Sequence, residues 1–186
     1  IKNNLQLVSS LLWLQLSGLN DPEVAAQVEK ARDRIQAIAR VHEMLYSSDE
    51  LGPISMSDYV TSISRELKDS HDLDDKDIKL RVSCEDVYLD SSLVVPCGLI
   101  INELVTNSIK YAFGGEGGAI NIILTEKDDN NYLLAISDNG KGFCVKSGKK
   151  GESAGLQIVS GLVEQLNGKY SLSGDGGVDF KMTFRP

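Results

Sequence analysis

The chain has 186 residues, of which 41% are hydrophobic, and it carries a formal net charge of −8 at pH 7. A chain of this length can form one or two domains with buried cores. Its acidic balance argues against a nucleic-acid interface, which needs lysine and arginine clustered on one surface.

Three cysteines, Cys84, Cys97 and Cys144, lie far apart without Cys-x-x-Cys spacing. Such scattered cysteines indicate reduced thiols in a cytoplasmic protein and argue against a disulfide framework or a zinc site. No apolar run approaches the roughly 20 residues that a membrane-spanning helix needs, and no signal peptide is recognisable. We therefore expect a cytoplasmic segment that does not itself contact a membrane.

The first region, residues 1–52, shows the apolar rhythm of a helical hairpin. Apolar residues recur at spacings of four and three from Ile1 to Leu12 and again from Val24 to Leu45. The breaker between them ends in Asp21-Pro22, which suits a helix N-cap followed by the first helical position. Because two helices alone cannot enclose a core, the coiled-coil-like seam predicts a four-helix bundle in a homodimer. An intramolecular partner for the seam is the alternative.

The second region, residues 53–186, alternates helical and strand patterns. Apolar spacing predicts three helices, from Ser55 to about Lys68, from about Ser91 to Phe113, and from Ala154 to about Leu166. Strand patterns cover residues 78–84, 87–90, 120–126, 132–137, 169–173 and 179–184. Helices packed on a mostly antiparallel sheet form a two-layer α/β sandwich. The predicted fold class of the whole chain is therefore α+β, with the helical hairpin preceding the sandwich.

The second predicted helix carries Glu103, Asn107 and Lys110 at positions i, i+4 and i+7. Their side chains therefore rise along one face of the helix, about one turn apart. An amide oxygen can ligate a hard cation, a lysine can neutralise phosphate and an acid can handle a proton. The set thus suits a magnesium-bound polyphosphate. A solvated polar face is the alternative interpretation.

A second motif, Asp138-Asn139-Gly140-Lys141-Gly142-Phe143, directly follows the apolar run of a predicted buried strand. An aspartate at the end of such a strand can accept a hydrogen bond from an exocyclic amine, such as that of adenine. Glycine at positions 140 and 142 allows the backbone to approach a ligand closely. An ordinary Asp-Asn-Gly turn is the alternative.

A third motif, Gly151-Glu152-Ser153-Ala154-Gly155-Leu156, leads from a glycine-rich approach into the third predicted helix. A helix N-terminus carries free amide groups and a partial positive charge, and so it binds phosphate. The preceding basic residues, Lys149 and Lys150, can close over a nucleotide. A plain surface loop would have a similar sequence, but its position after the other two motifs favours a site.

The ordered motifs resemble those of the ATP-binding domain of histidine kinases, within the wider superfamily that includes DNA gyrase and MutL. The resemblance covers the chain from about Leu93 to Pro186. The residues that match the N box and the two glycine boxes of this family are Glu103, Asn107, Lys110, Tyr111, Asp138, Gly140, Gly142, Gly151, Gly155 and Leu156.

The start of the chain, Ile1-Lys2-Asn3-Asn4-Leu5, resembles the end of a histidine-kinase phosphoacceptor box that reads His-Arg-x-Lys-Asn-Asn-Leu. This resemblance places the phosphorylated histidine just before Ile1. We therefore expect a fragment of a longer protein with no phosphoacceptor inside it. His42, on an otherwise apolar seam, is either a functional histidine near that site or a packed histidine bonded to a neighbour.

The resemblance implies that residues 53–186 bind ATP with Mg2+, and that the kinase phosphorylates a histidine for transfer to a response-regulator receiver domain. The fragment would then be soluble in the cytoplasm or the cytoplasmic part of a membrane-bound sensor. The resemblance implies that Asp138 recognises adenine and that Tyr111 and Phe143 flank the base. It implies that Asn107, with Glu103 as a further candidate, ligates Mg2+, and that the phosphate charge is neutralised by Lys110, Lys149 and Lys150. Glu103 would also carry out the acid/base chemistry.

One position departs from the family pattern, which often ends in Gly-Thr-x-Phe with the threonine hydroxyl supporting the adenine-binding aspartate. The run here is Gly177-Val178-Asp179-Phe180, so residue 178 supplies no hydroxyl. The departure predicts weaker adenine binding, or a water that replaces the hydroxyl. The alternative functions are a serine kinase or an ATPase of the same superfamily, since ATPase relatives also carry glutamate at position 103, and a degenerate dimerisation module.

Overall fold

The computed structural model describes residues 52–128, 130–142 and 154–186, which belong to one compact unit, Gly52–Pro186. The predicted hairpin lies outside the described residues and stays a prediction. The elements in chain order are β1 (Ile54–Ser55), α1 (Met56–Ser70), β2 (Ile78–Cys84), β3 (Tyr88–Leu89), α2 (Ser91–Tyr111), β4 (Gly118–Asp128), β5 (Asn131–Asp138), α3 (Ala154–Gln165), β6 (Lys169–Ser173) and β7 (Asp179–Phe184).

Five strands form one sheet in the order β2-β4-β5-β7-β6, while β1 pairs separately with β3. Neighbouring strands of the large sheet are antiparallel except for β2 and β4, which run parallel. A parallel pair needs a long crossover connection, and α2 lies on the connection between β2 and β4. The sheet is therefore mixed, a detail that the predicted strand pattern did not contain.

Side chains that alternate along the central strands place one face of the sheet in the core. The inward residues Ile120, Ile122 and Leu124 of β4 are almost completely buried, as are Leu134 and Ile136 of β5. Helix α1 packs against β2, α2 packs against β4 and β5, and α3 packs against β6 and α2. This arrangement confirms the predicted α+β class and the two-layer α/β sandwich.

Helix α1 begins where the sequence predicts, because Ser55 is its N-cap. The Ser55 hydroxyl accepts a hydrogen bond from the Asp58 amide at 3.2 Å. On the buried face of the helix, the ring of Tyr59 contacts Gly98 of α2, where a Cβ atom would collide with it. A glycine at position 98 thus lets the two helices approach closely.

Helix α2 is the central helix of the domain, and its 21 residues are long and apolar enough to cross a membrane. The sequence pattern concealed this because Asn102, Glu103 and Asn107 interrupt the apolar run, so the expectation that no such segment exists was wrong. Length and composition are weak evidence for a membrane span, and 56% of the apolar stretch is buried within the domain. Core packing therefore accounts for its apolar character.

Burial of Cys97 predicts that the domain loses stability at alkaline pH. Its side chain is fully buried on α2, and burial raises the pKa of the thiol from 9.0 to about 12. The unfolded chain releases this proton near the ordinary value, while the folded chain keeps it. The stabilisation is therefore complete below pH 9.0 and is lost as the pH rises toward about 12.

We expect the free energy of unfolding to fall by up to about 1.4 kcal/mol per pH unit for this thiol within that window. Urea unfolding at several pH values between about 8 and about 11 measures the slope. Cys97→Ala should reduce the slope, although the cavity lowers stability at every pH. An unchanged slope in this variant would show that Cys97 does not cause the effect.

Candidate active site

Helix α2 carries three predicted site residues on one face, and their exposure to solvent increases along the helix. Glu103 is buried, Asn107 is half-buried and Lys110 is exposed. From the helical rise, Glu103 and Asn107 lie about 6 Å apart along the axis. Tyr111, the last residue of the helix, is 53% exposed. The helix thus presents an acid at the edge of the core, then an amide, then a cation in solvent.

Asp138 is the last residue of β5, and only 7% of its surface is exposed. Its Oδ1 accepts hydrogen bonds from the amides of Gly140 at 2.9 Å and Val178 at 3.2 Å. Its Oδ2 accepts one from the Ser108 hydroxyl at 2.6 Å. These three donors compensate the burial of the carboxylate and hold it in one orientation.

The backbone that follows Asp138 runs along the C-terminal end of α2. The Lys141 amide donates a hydrogen bond to the Ala112 carbonyl at 3.0 Å. At Gly140, a Cβ atom would lie 2.5 Å from both the methyl carbon and the carbonyl oxygen of Ala112. The side-chain oxygen of Asn139 accepts from the Ala119 amide at 2.7 Å, which ties the segment to β4. Glycine at position 140 is therefore required by packing against the helix.

Two further glycines let a second backbone segment approach Asp138. Gly142 and Gly177 have φ values of 66° and 127°, in the region that favours glycine. A Cβ atom at Gly142 would collide with the carbonyl oxygen of Gly174, and one at Gly177 would collide with the carbonyl oxygen of Asp138. The carboxylate therefore lies between α2 and the loop that precedes β7.

Only part of the third motif belongs to the described residues. Gly155 is buried and Leu156 is half-buried in the first turn of α3. Since α3 packs against α2, these residues belong to the same layer as the first motif. The structure does not describe the other predicted residues of this part of the site, so their roles stay predictions: Phe143, Lys149, Lys150 and Gly151.

Ser108 was not predicted from the sequence as a site residue. It follows Asn107 directly on α2, and only 3% of its surface is exposed. The sequence could have indicated Ser108 only as a single hydroxyl residue on a helix face that is otherwise apolar. Its partner, Asp138, lies 30 residues further along the chain, so the contact depends on the tertiary fold.

Val178 lacks a hydroxyl, yet its backbone contacts Asp138 twice. Its amide donates to Oδ1 of Asp138, and its carbonyl accepts from the Asp138 amide at 2.9 Å. The hydroxyl on this carboxylate comes from Ser108 of α2. The departure from the Gly-Thr-x-Phe pattern therefore does not leave Asp138 without a hydroxyl donor.

Two family models match the sequence. Residues 1–71 match the family described as histidine kinase. Residues 94–186, half of the chain, match the family described as histidine kinase-, DNA gyrase B-, and HSP90-like ATPase. This chain belongs to the histidine kinases. The resemblance to the catalytic core of a sensor histidine kinase is thereby confirmed, and every described candidate site residue of the chain lies within the second match.

Two curated histidine kinases are similar to this chain. Blue-light-activated histidine kinase 1 of Erythrobacter litoralis is 21% identical over 155 residues, which cover 82% of this chain and 42% of the relative. Sensor histidine kinase YdfH of Bacillus subtilis is 34% identical over 85 residues, which cover 45% of this chain and 20% of the relative. The chain therefore spans less than half the length of either relative.

Solved structures share the fold of this chain at low sequence identity. The histidine kinase domain of the EL346 blue-light activated histidine kinase from Erythrobacter litoralis has a TM-score of 0.72 at 17% identity, with 98% of this chain and 95% of that chain covered. Full-length ShkA in complex with AMPPNP has a TM-score of 0.58 at 16% identity, with 98% and 43% covered. At these identities the similarity establishes the fold alone.

Among the described residues, cation ligands are sparse. Within residues 52–128, 130–142 and 154–186, no group of three histidine, cysteine, aspartate or glutamate side chains could hold a metal ion. Mg2+ commonly keeps several waters and binds through one or two protein groups plus substrate phosphates. The Asn107 amide, with the Glu103 carboxylate one turn before it, is a donor set of this kind. These residues therefore fit a magnesium ion that is bound together with nucleotide phosphates.

Proposed function

We propose that residues 53–186 bind Mg-ATP and transfer its γ-phosphoryl group to a histidine that precedes Ile1. One observation carries the proposal: the buried Asp138 carboxylate is hydrogen-bonded to α2 at the residue that follows Asn107. Recognition of the base and binding of the phosphates would therefore be joined by one rigid helix. Such positioning is the main requirement for phosphoryl transfer, which needs little covalent help from the protein.

The adenine base would donate a hydrogen bond from its exocyclic amine to Asp138. In a buried site such a bond is stronger than in water, and its absence costs more. Tyr111 and Phe143 would flank the base, and Gly140 and Gly142 would let the backbone beside Asp138 approach it closely. These features support adenine as the base that this site binds.

The phosphates would lie toward the solvent-exposed end of the polar row on α2. Asn107, with Glu103 as a further candidate, would hold Mg2+, which offsets phosphate charge when bound. Lys110, Lys149 and Lys150 would supply additional positive charge. The complex of ShkA with AMPPNP, an ATP analogue, supports nucleotide binding by a protein of this fold.

In the transfer step, a nitrogen of the acceptor histidine would attack the γ-phosphorus while the bond to the bridging oxygen breaks and ADP leaves. Glu103 would accept the imidazole proton. The phosphoryl group would then pass to an aspartate of a response-regulator receiver domain. Residues 1–52 would form the helical hairpin that dimerises and presents the acceptor, which the match of residues 1–71 to a histidine kinase family supports.

A labelling experiment tests this proposal. A chain extended upstream of Ile1 to include the acceptor histidine is incubated with γ-labelled ATP and Mg2+. We expect label on the protein that is stable in base and labile in acid, and that moves to a receiver domain. Asn107→Ala should abolish labelling, whereas Asn121→Ala, at another half-buried asparagine on β4, should not.

Other outcomes of the same experiment would contradict the proposal. Acid-stable label would indicate a serine kinase, and free phosphate without protein label would indicate an ATPase. A protein that binds ATP but yields neither product would be a degenerate module. A homodimer is part of the proposal, and a monomer in equilibrium sedimentation at high concentration would remove that part.

A further inference from the structure

We infer that Ser108 is a positioning residue that sets base selectivity, by orienting the Asp138 carboxylate so that one acceptor site faces the exocyclic amine of the nucleotide. This inference rests on the proposed binding of ATP at the same site. It extends that proposal, because it assigns selectivity for an amino-substituted base to a serine that is not among the matched motif residues.

The geometry of the Ser108–Asp138 pair is that of a strong hydrogen bond. The hydroxyl lies 2.6 Å from Oδ2, a short distance that is typical of a hydroxyl donating to a carboxylate. Both residues are buried, at 3% and 7% exposure. Little solvent can therefore replace this donor if it is removed.

The hydrogen bond from Ser108 leaves one acceptor site of Asp138 for a ligand. An ionised carboxylate has about four lone-pair sites, two on each oxygen. The two on Oδ1 are used by the amides of Gly140 and Val178. Ser108 uses one of the two on Oδ2. One acceptor site on Oδ2 remains, and it can receive a single N–H from a base.

Ser108 also fixes the direction of this acceptor site. Since the three protein donors hold both oxygens, the free acceptor site on Oδ2 keeps one orientation toward the base. An ionised carboxylate offers acceptors only, so a base with a carbonyl at this position would place oxygen against oxygen. The site should therefore accept adenine and exclude guanine, and the Ser108 hydroxyl should strengthen the bond to the adenine amine by keeping Oδ2 in place.

The position of Ser108 on α2 explains how it can orient the base relative to the phosphates. Ser108 and Asn107 are consecutive residues of α2, so their side chains leave the helix about 100° apart. One points to the base-binding carboxylate, and the other would point to the phosphates. The position of the base relative to the phosphates is then set by two consecutive residues of one rigid helix.

The test compares two nucleotides that differ by one amine. Wild-type kinase, Ser108→Ala and the control Ser64→Ala are titrated with Mg-ATP and with Mg-purine riboside triphosphate, which lacks the exocyclic amine. Ser64 is a suitable control because it is also a buried serine on a helix, and its hydroxyl has no hydrogen-bond partner among the described residues. Alanine is favourable in a helix, so both variants should fold.

We expect Ser108→Ala to weaken ATP binding about tenfold and to change purine riboside triphosphate binding by less than about twofold. Ser64→Ala should leave both affinities unchanged. Equal weakening for both nucleotides would show a general structural role, and unchanged ATP binding would show no role, so either result overturns the inference. A wild-type chain that binds neither nucleotide would overturn the proposed function itself.

Discussion

Replacement of Asp138 by asparagine is expected to weaken ATP binding about 100-fold without unfolding the domain. Asparagine keeps the oxygen that accepts from the amides of Gly140 and Val178, so the loop around it retains its hydrogen bonds. In place of Oδ2, which is an acceptor in the carboxylate, asparagine has an amide nitrogen, which is a donor. The Ser108 hydroxyl can accept from that donor, but the amine of adenine cannot.

Displacement of a fluorescent ATP analogue measures this effect, and urea unfolding without nucleotide checks the fold. Asp179→Asn is the matched control, because Asp179 lies on β7 and pairs with Lys181 at 2.6 Å, with both side chains about half exposed. This variant should bind ATP as the wild type does. Similar losses in the two variants would mean that the Asp138 carboxylate does not recognise the base.

The second large effect is expected from Gly142→Ala, which should destabilise the domain by about 3 kcal/mol. At a φ of 66°, any residue with a Cβ atom is strained, and here that atom would also collide with the Gly174 carbonyl oxygen. The loop before β7 must then move away, and with it the Val178 amide that binds Asp138. Nucleotide binding should therefore fall together with stability.

Urea unfolding provides the measurement, with Gly176→Ala as the control. Gly176 has a similar φ of 71°, but no atom lies within 4 Å of the position that its Cβ would take. Only the backbone strain, about 1 kcal/mol, should then appear. If both variants lose the same free energy, the close approach of the two loops at Gly142 is not what the site depends on.

The local pattern of the sequence was sufficient for most of the elements. The predicted limits of β2, β6 and β7 match the structure, and α2 ends close to the predicted Phe113. Alternating or periodic apolar residues and flanking glycines fix such limits within a few residues of chain. Strand β1 was not predicted, because its two residues are too few to show a period.

Contacts between distant parts of the chain could not be predicted in the same way. The parallel pairing of β2 with β4 depends on where α2 packs, and the bond from Ser108 to Asp138 depends on the same packing. A serine next to Asn107 carries no spacing signal of its own. The sequence did predict that Asp138 ends a strand and is followed by glycines in a turn, because strand ends and turn residues have local signatures.

We infer that the Asp138 carboxylate, held by Ser108 and by two backbone amides, recognises adenine. Calorimetric titration of the chain with non-hydrolysable analogues of ATP and GTP, each with Mg2+, measures this recognition. We predict a saturable binding isotherm with the ATP analogue and no heat of binding with the GTP analogue. No heat with the ATP analogue, or equal affinity for the two analogues, would show that Asp138 does not recognise adenine.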